Sequence, residues 1–150
     1  MGVAIDSRIV SNCMGIQAHH AIRRMGNEEE RVAIAKGTDD RKRLLLLALD
    51  TNPAVIGKVV GNRNSDETVL TVAATTILKG KGRWTLYRDA AMQIAVNPNG
   101  GRALVTIAAC NRREISRVIE SNPGASDELR RSMRDRLNSG IAGLFRRHGN

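Results

Sequence analysis

Three stretches decide how the chain folds: RLLLLALDTNP at residues 43–53, RDAAMQIAVNP at 88–98 and REISRVIESNP at 113–123. In each, eight residues, apolar at helical intervals, separate an Arg from an Asn-Pro pair. The pairs Asn52-Pro53, Asn97-Pro98 and Asn122-Pro123 lie 45 and 25 residues apart. Apolar side chains recur between them at helical intervals: Leu46, Leu47 and Leu49, then Met92, Ile94 and Val96, then Ile115, Val118 and Ile119. Proline disfavours helical backbone in the residue before it, so each pair is expected to end one helix. Asn then suits the cap of the next helix and Pro its first turn. A second echo sets residues 54–63 (Ala54-Val55-Ile56 to Gly61-Asn62-Arg63) against 103–112 (Ala103-Leu104-Val105 to Cys110-Asn111-Arg112).

Working outward, the rest of the chain carries helix punctuation. Ile5, Ile9, Cys13 and Ile16 are helically spaced within residues 4–25, and Gly15 is a candidate break. Gly26-Asn27 reads as a stop, and Glu28, Glu29 and Glu30 suit the first turn of a helix ending at Gly37. Thr38, Asp39 and Asp40 offer a cap for a helix over 41–49, whose four consecutive leucines predict a central position. Ser65-Asp66-Glu67 reads as a cap plus an acidic first turn, ahead of Val69, Leu70, Ala73 and Ile77. Residues 68–77 and 102–109 are rich in Val, Thr and Ile, which favour strands, so a hairpin across 79–83 stays open, although the apolar spacing favours helix. Trp84, Tyr87, Ala91 and Ile94 stripe a further helix, and helices over 103–110, 114–120 and 127–137 complete the series.

Short apolar helices joined by Asn-Pro turns resemble the HEAT-like and leucine-rich-repeat-variant solenoids, over about residues 40–137. That resemblance implies an all-α solenoid of stacked helical repeats and a binding surface without catalysis; a helical bundle is the alternative fold. The expected organisation is one domain over 1–150, with 1–37 as capping helices and 138–150 as a tail that frays. Some leucine-rich-repeat-variant proteins hold an iron–sulfur cluster on clustered cysteines; two isolated cysteines, Cys13 and Cys110, cannot build one. Both sit among apolar neighbours and read as buried free thiols of a cytoplasmic protein. With 150 residues the chain can bury a core without staples. Aromatics are scarce (Trp84, Tyr87 and Phe145), which speaks against folds that stack bases on an aromatic sheet.

Charge points to the partner. Lys plus Arg number 24 against 15 acids, a net charge of +9. Residues 101–150 hold ten basic side chains, all Arg, against five acids. A basic domain attracts polyanions, and Arg grips phosphate with two hydrogen bonds at once. The first candidate site is Lys79, Lys81, Arg83 and Trp84, where two glycines let backbone approach a ligand and three cations surround them. The second is Arg112, Arg113 and Arg117 with Arg130, Arg131 and Arg134, in which the spacings 113/117 and 130/134 each share a helix face.

Catalytic and metal motifs are missing. No phosphate loop, dinucleotide fingerprint, HExxH or Cys-x-x-Cys occurs. His19 and His20 point about 100° apart on a helix and do not converge on one ion. The longest apolar run is residues 44–49, too short to span a membrane, and residues 1–10 lack a basic start and apolar stretch of the secretory kind. The expectation is a non-enzymatic binding protein without cofactor or metal, contacting nucleic-acid backbone nonspecifically. The alternative is an adaptor for an acidic protein surface, within a larger bacterial or phage assembly. A small helical enzyme acting on nucleic acid is the third possibility.

Overall fold

The computed structural model describes the backbone of residues 7–145 and the side chains of residues 15–139 other than Lys81. Among the described residues the protein is all-helical. Its helices are α1 (Ser7–Arg24), α2 (Glu28–Gly37), α3 (Arg41–Leu47), α4 (Pro53–Val60), α5 (Glu67–Lys79), α6 (Trp84–Val96), α7 (Arg102–Ala108), α8 (Arg113–Ser121) and α9 (Asp127–Phe145), with one 3₁₀ turn at Lys81–Arg83.

The caps form where the polar residues anticipate them. Asn27, expected with Gly26 as a stop, is instead the cap of the next helix and makes a reciprocal capping box with Glu30 at the start of α2. Asp40 Oδ1 accepts from Lys42 N at 2.8 Å, Asn52 Oδ1 from Ala54 N at 2.8 Å and Asp66 Oδ1 from Val69 N at 2.9 Å. Gly15 does not break α1, which runs through it. The 138–150 tail is also partly helical, since α9 continues to Phe145; residues 146–150 lie outside the described part. The strand alternative for 68–77 and 102–109 gives way to α5 and α7. Their threonines satisfy themselves inside a helix: Thr71, Thr75 and Thr106 each donate to the carbonyl four residues back. Val69, Leu70, Ala73, Ala74 and Ile77 of α5 are buried at helical spacing.

The helices pack with alternate neighbours. α2 lies against α4, α4 against α6 and α6 against α8, while α1 meets α3, α3 meets α5 and α5 meets α7; α9 covers α8. Ten alanines are buried in the core, so helices approach closely with few aromatics between them. Leu44 and Leu47 are fully buried, whereas Leu45 and Leu46 are half-buried, so the four-leucine helix is central on one side only.

The Asn-Pro pattern marks two different turns. Asn52-Pro53 caps α4 as expected, but Asn97 and Asn122 are the C-caps of α6 and α8, and Pro98 and Pro123 lie in the turns that follow. The recurring unit is the turn after each even-numbered helix. There Thr38, Asn62, Asn97 and Asn122 each accept the N–H two residues on, at 3.1, 2.8, 2.9 and 2.8 Å. The buried amides also reach the preceding turn: Asn62 Nδ2 donates to Ala35 O at 2.8 Å and Thr38 O at 3.0 Å, and Asn122 Nδ2 to Ala95 O at 2.7 Å and Asn97 O at 3.1 Å. Gly124 closes this stack, since a Cβ there would lie 1.7 Å from Pro98 O. The echo between 54–63 and 103–112 does not survive: Asn62 is buried in this stack, while Asn111 is exposed with φ 56°.

Candidate binding groove

The second half of α1, the C-terminal ends of α3 and α5 and the start of α6 enclose an open groove of about 1210 Å³. The floor is apolar, built from Ala18, Ala21, Ile22, Leu46 and Leu49. Leu49 remains 42% exposed just past the end of α3.

Polar groups hold one end of this floor. Asp50 is 4% exposed; its Oδ2 accepts from Arg31 Nε at 2.7 Å and its Oδ1 from Asn52 N at 2.9 Å. Arg31 Nη1 also donates to Gly26 O at 2.9 Å, so one guanidinium ties the α1–α2 turn to the end of α3. A buried carboxylate requires such a partner, because its desolvation is otherwise uncompensated. Tyr87 is buried and donates its hydroxyl to Thr51 O at 2.6 Å. Burial, countered by the nearby Arg83 charge, pushes the Tyr87 phenol up from its ordinary value. Gly80 makes the ring's position possible: a Cβ there would stand 2.7 Å from Tyr87 Cε2. That glycine is thus required by the packing of the ring, and it also lines the groove.

The rim is cationic. Arg23, Lys79 and Arg83 line the groove together with His19. Among the described residues none of these three cations has a carboxylate within ion-pair distance. Arg83 donates to Thr51 O at 3.4 Å, and its guanidinium carbon lies 6.0 Å from the Tyr87 ring centroid.

The ten candidate residues divide into separate groups. Lys79 and Arg83 meet at the groove; the Lys81 side chain lies outside the described residues. Trp84 is half-buried away from it, with the Arg112 guanidinium 5.0 Å from its ring. Three of the six C-terminal candidate arginines are engaged, Arg112 with the Trp84 ring and Arg130 and Arg134 in ion pairs. Arg130 pairs with Asp127, Arg134 with Glu120 at 2.9 Å, and Arg136 Nη1 donates to Ala108 O at 2.8 Å. Arg88, outside the candidate set, grips Glu114 through Nε and Nη2, at 3.0 and 2.8 Å to Oε2. Arg113, Arg117 and Arg131 are exposed without ion pairs among the described residues, Arg117 beside a shallow depression of about 360 Å³ with Val96 and Pro123. Three groove residues escaped the sequence reading: Arg23, Arg31 and Asp50. Only the leucine run before Asp50 hints that this carboxylate is buried.

Among the described residues no group of three or more His, Cys, Asp or Glu could hold a metal ion, and the His19 and His20 rings stand 6.5 Å apart. Cys110 is a half-buried free thiol whose pKa is raised by burial, against the pull of nearby Arg112 and Arg136; the Cys13 side chain lies outside the described residues. No described helix is long and apolar enough to cross a membrane. No family model, curated protein or solved structure matches this chain.

Proposed function

We propose that the protein is a non-catalytic helical-repeat binding protein, solenoid-like in its stacking, that takes an anionic partner in the groove between α1 and the ends of α3 and α5. The observation that carries this reading is the rim of Arg23, Lys79 and Arg83, cations without a carboxylate partner among the described residues. Packing of alternate helices supports the helical-repeat part of it. Two partner classes suit such a rim: nucleic-acid backbone, and the acidic surface of a protein that this chain would join to others as an adaptor. The adaptor reading draws on the apolar floor at Leu46 and Leu49, which an apolar side chain could cover.

The test is binding to a random-sequence duplex and to polyglutamate across a salt series. Tight binding at about 50 mM salt that weakens steeply by 200 mM is expected. The double variant Lys79→Glu, Arg83→Glu should lose most of it, while Arg130→Ala, Arg134→Ala, whose charges are already paired, should lose little. Absence of binding to either polymer at low salt would overturn the reading.

A further inference from the structure

We propose that the groove's partner is an acidic protein segment carrying apolar side chains, and not a nucleic-acid backbone; this rests on the anionic-partner reading of the same groove. Floor and rim differ in chemistry, and the ligand must match both. The floor is Ile22, Leu46 and Leu49 with two alanines, and Leu49 is 42% exposed. A sugar–phosphate backbone has no aliphatic side chain to lay there. Burying a leucine or isoleucine side chain of a peptide raises affinity by about 10- to 150-fold.

The electrostatics separate in the same way. α3 and α5 run their C-terminal ends into the groove, and a helix C-terminus carries partial negative charge. The Asp50 carboxylate lies at the same end, its charge matched by Arg31. Phosphates are repelled from such a floor and confined to the rim. A peptide can direct carboxylates to Arg23, Lys79 and Arg83 and apolar side chains inward.

Two further observations agree. Among the described residues Tyr87 is the only aromatic of the wall besides His19, and it is 2% exposed with its hydroxyl engaged, so no open phenol ring awaits a base. The volume, about 1210 Å³, exceeds the roughly 300–1,000 Å³ of small-molecule pockets and suits several residues of a chain.

The experiment is fluorescence anisotropy with the full chain and three labelled probes of about twelve units each. They are a Leu/Glu peptide with leucines three and four apart, the same peptide with Ser for Leu, and oligo(dT). The Leu/Glu peptide should bind at least about tenfold tighter than the other two. Leu49→Ser, at an exposed position that leaves helicity at 222 nm unchanged, should remove most of that advantage without affecting the Ser/Glu peptide. Lys79→Glu with Arg83→Glu should abolish binding of both peptides. Equal affinity for Ser/Glu and Leu/Glu, or oligo(dT) binding as tightly as Leu/Glu, would overturn the apolar-acidic segment and leave the anionic groove standing. No binding of any probe would remove both.

Discussion

Asn62 and Asn122 are buried amides whose oxygen serves their own turn and whose nitrogen serves the turn before. Replacing Asn122 by Ala leaves Ala95 O and Asn97 O without their side-chain donor and frees the Gly124 N–H, at a cost of about 2–3 kcal/mol. Urea unfolding followed by helicity would measure this. A loss below about 0.5 kcal/mol would mean that water replaces the amide without penalty. Asn111 is the control: it is exposed with φ 56°, so Asn111→Gly should stay within about 0.5 kcal/mol of the parent. The sequence does not distinguish these asparagines. Asn122 was legible as turn chemistry because Pro123 follows it, but as the cap of a following helix. Asn62 has no proline, and its partners lie more than twenty residues earlier in the chain.

At the scale of elements, local punctuation was readable and lateral packing was not. Asn27, Asp40 and Asp66 cap helices through groups two or three residues away, so their roles are written in the neighbouring sequence. Which leucines of α3 face the core depends on the helices laid against it. The two sides differ: Leu47 is fully buried, while Leu46 is half-buried in the groove wall. Leu47→Ala should therefore cost about 2–5 kcal/mol, the range of a cavity that cannot collapse. Leu46→Ala should cost about half as much, because solvent already reaches the site. Equal losses in denaturant midpoints would place both side chains in the same environment and contradict the packing of α3. The basic loop before α6 shows the same division. Lys79 and Arg83 were visible as a local cluster and do share the groove; Trp84, adjacent in sequence, turns to Arg112 in the α7–α8 connection. Arg31 and Asp50 were invisible because nineteen residues separate them.

For the whole molecule, charge distribution underlies the proposed choice of partner and governs acid stability. Ion pairs leave the net charge of +9 unchanged, since each joins one cation to one carboxylate; they fix where the unpaired cations lie, and four arginines clip one helix to another or to its flanking turn. Two such clips link elements that are not consecutive: Arg41 to Asp66 joins α3 to the cap of α5, and Arg88 to Glu114 joins α6 to α8. The hydrogen bond from Arg41 holds the Asp66 carboxyl below its ordinary 3.8, and that from Arg88 holds the Glu114 carboxyl below its ordinary 4.5. As pH falls, the unfolded chain takes up these protons first. The contribution is therefore complete above the ordinary values and is lost as pH drops through 4.5 and 3.8 toward the lowered values. The Asp66 and Glu114 side chains are 44% and 33% exposed and their arginines about half, so water screens the pairs and the effect on stability is small for each. Thermal unfolding by circular dichroism from pH 6 to pH 2.5 should show a level midpoint down to about pH 5, then a continuous fall. General charge repulsion contributes to that fall, since each protonated carboxylate leaves another cation uncompensated. Arg88→Met separates the two causes: it removes the Glu114 clip while lowering the net positive charge. The variant should be slightly less stable than the parent at pH 6, and the difference should close by pH 3. A gap that stays constant across the range would show that Arg88 stabilises by packing its stem and not by holding Glu114 ionised.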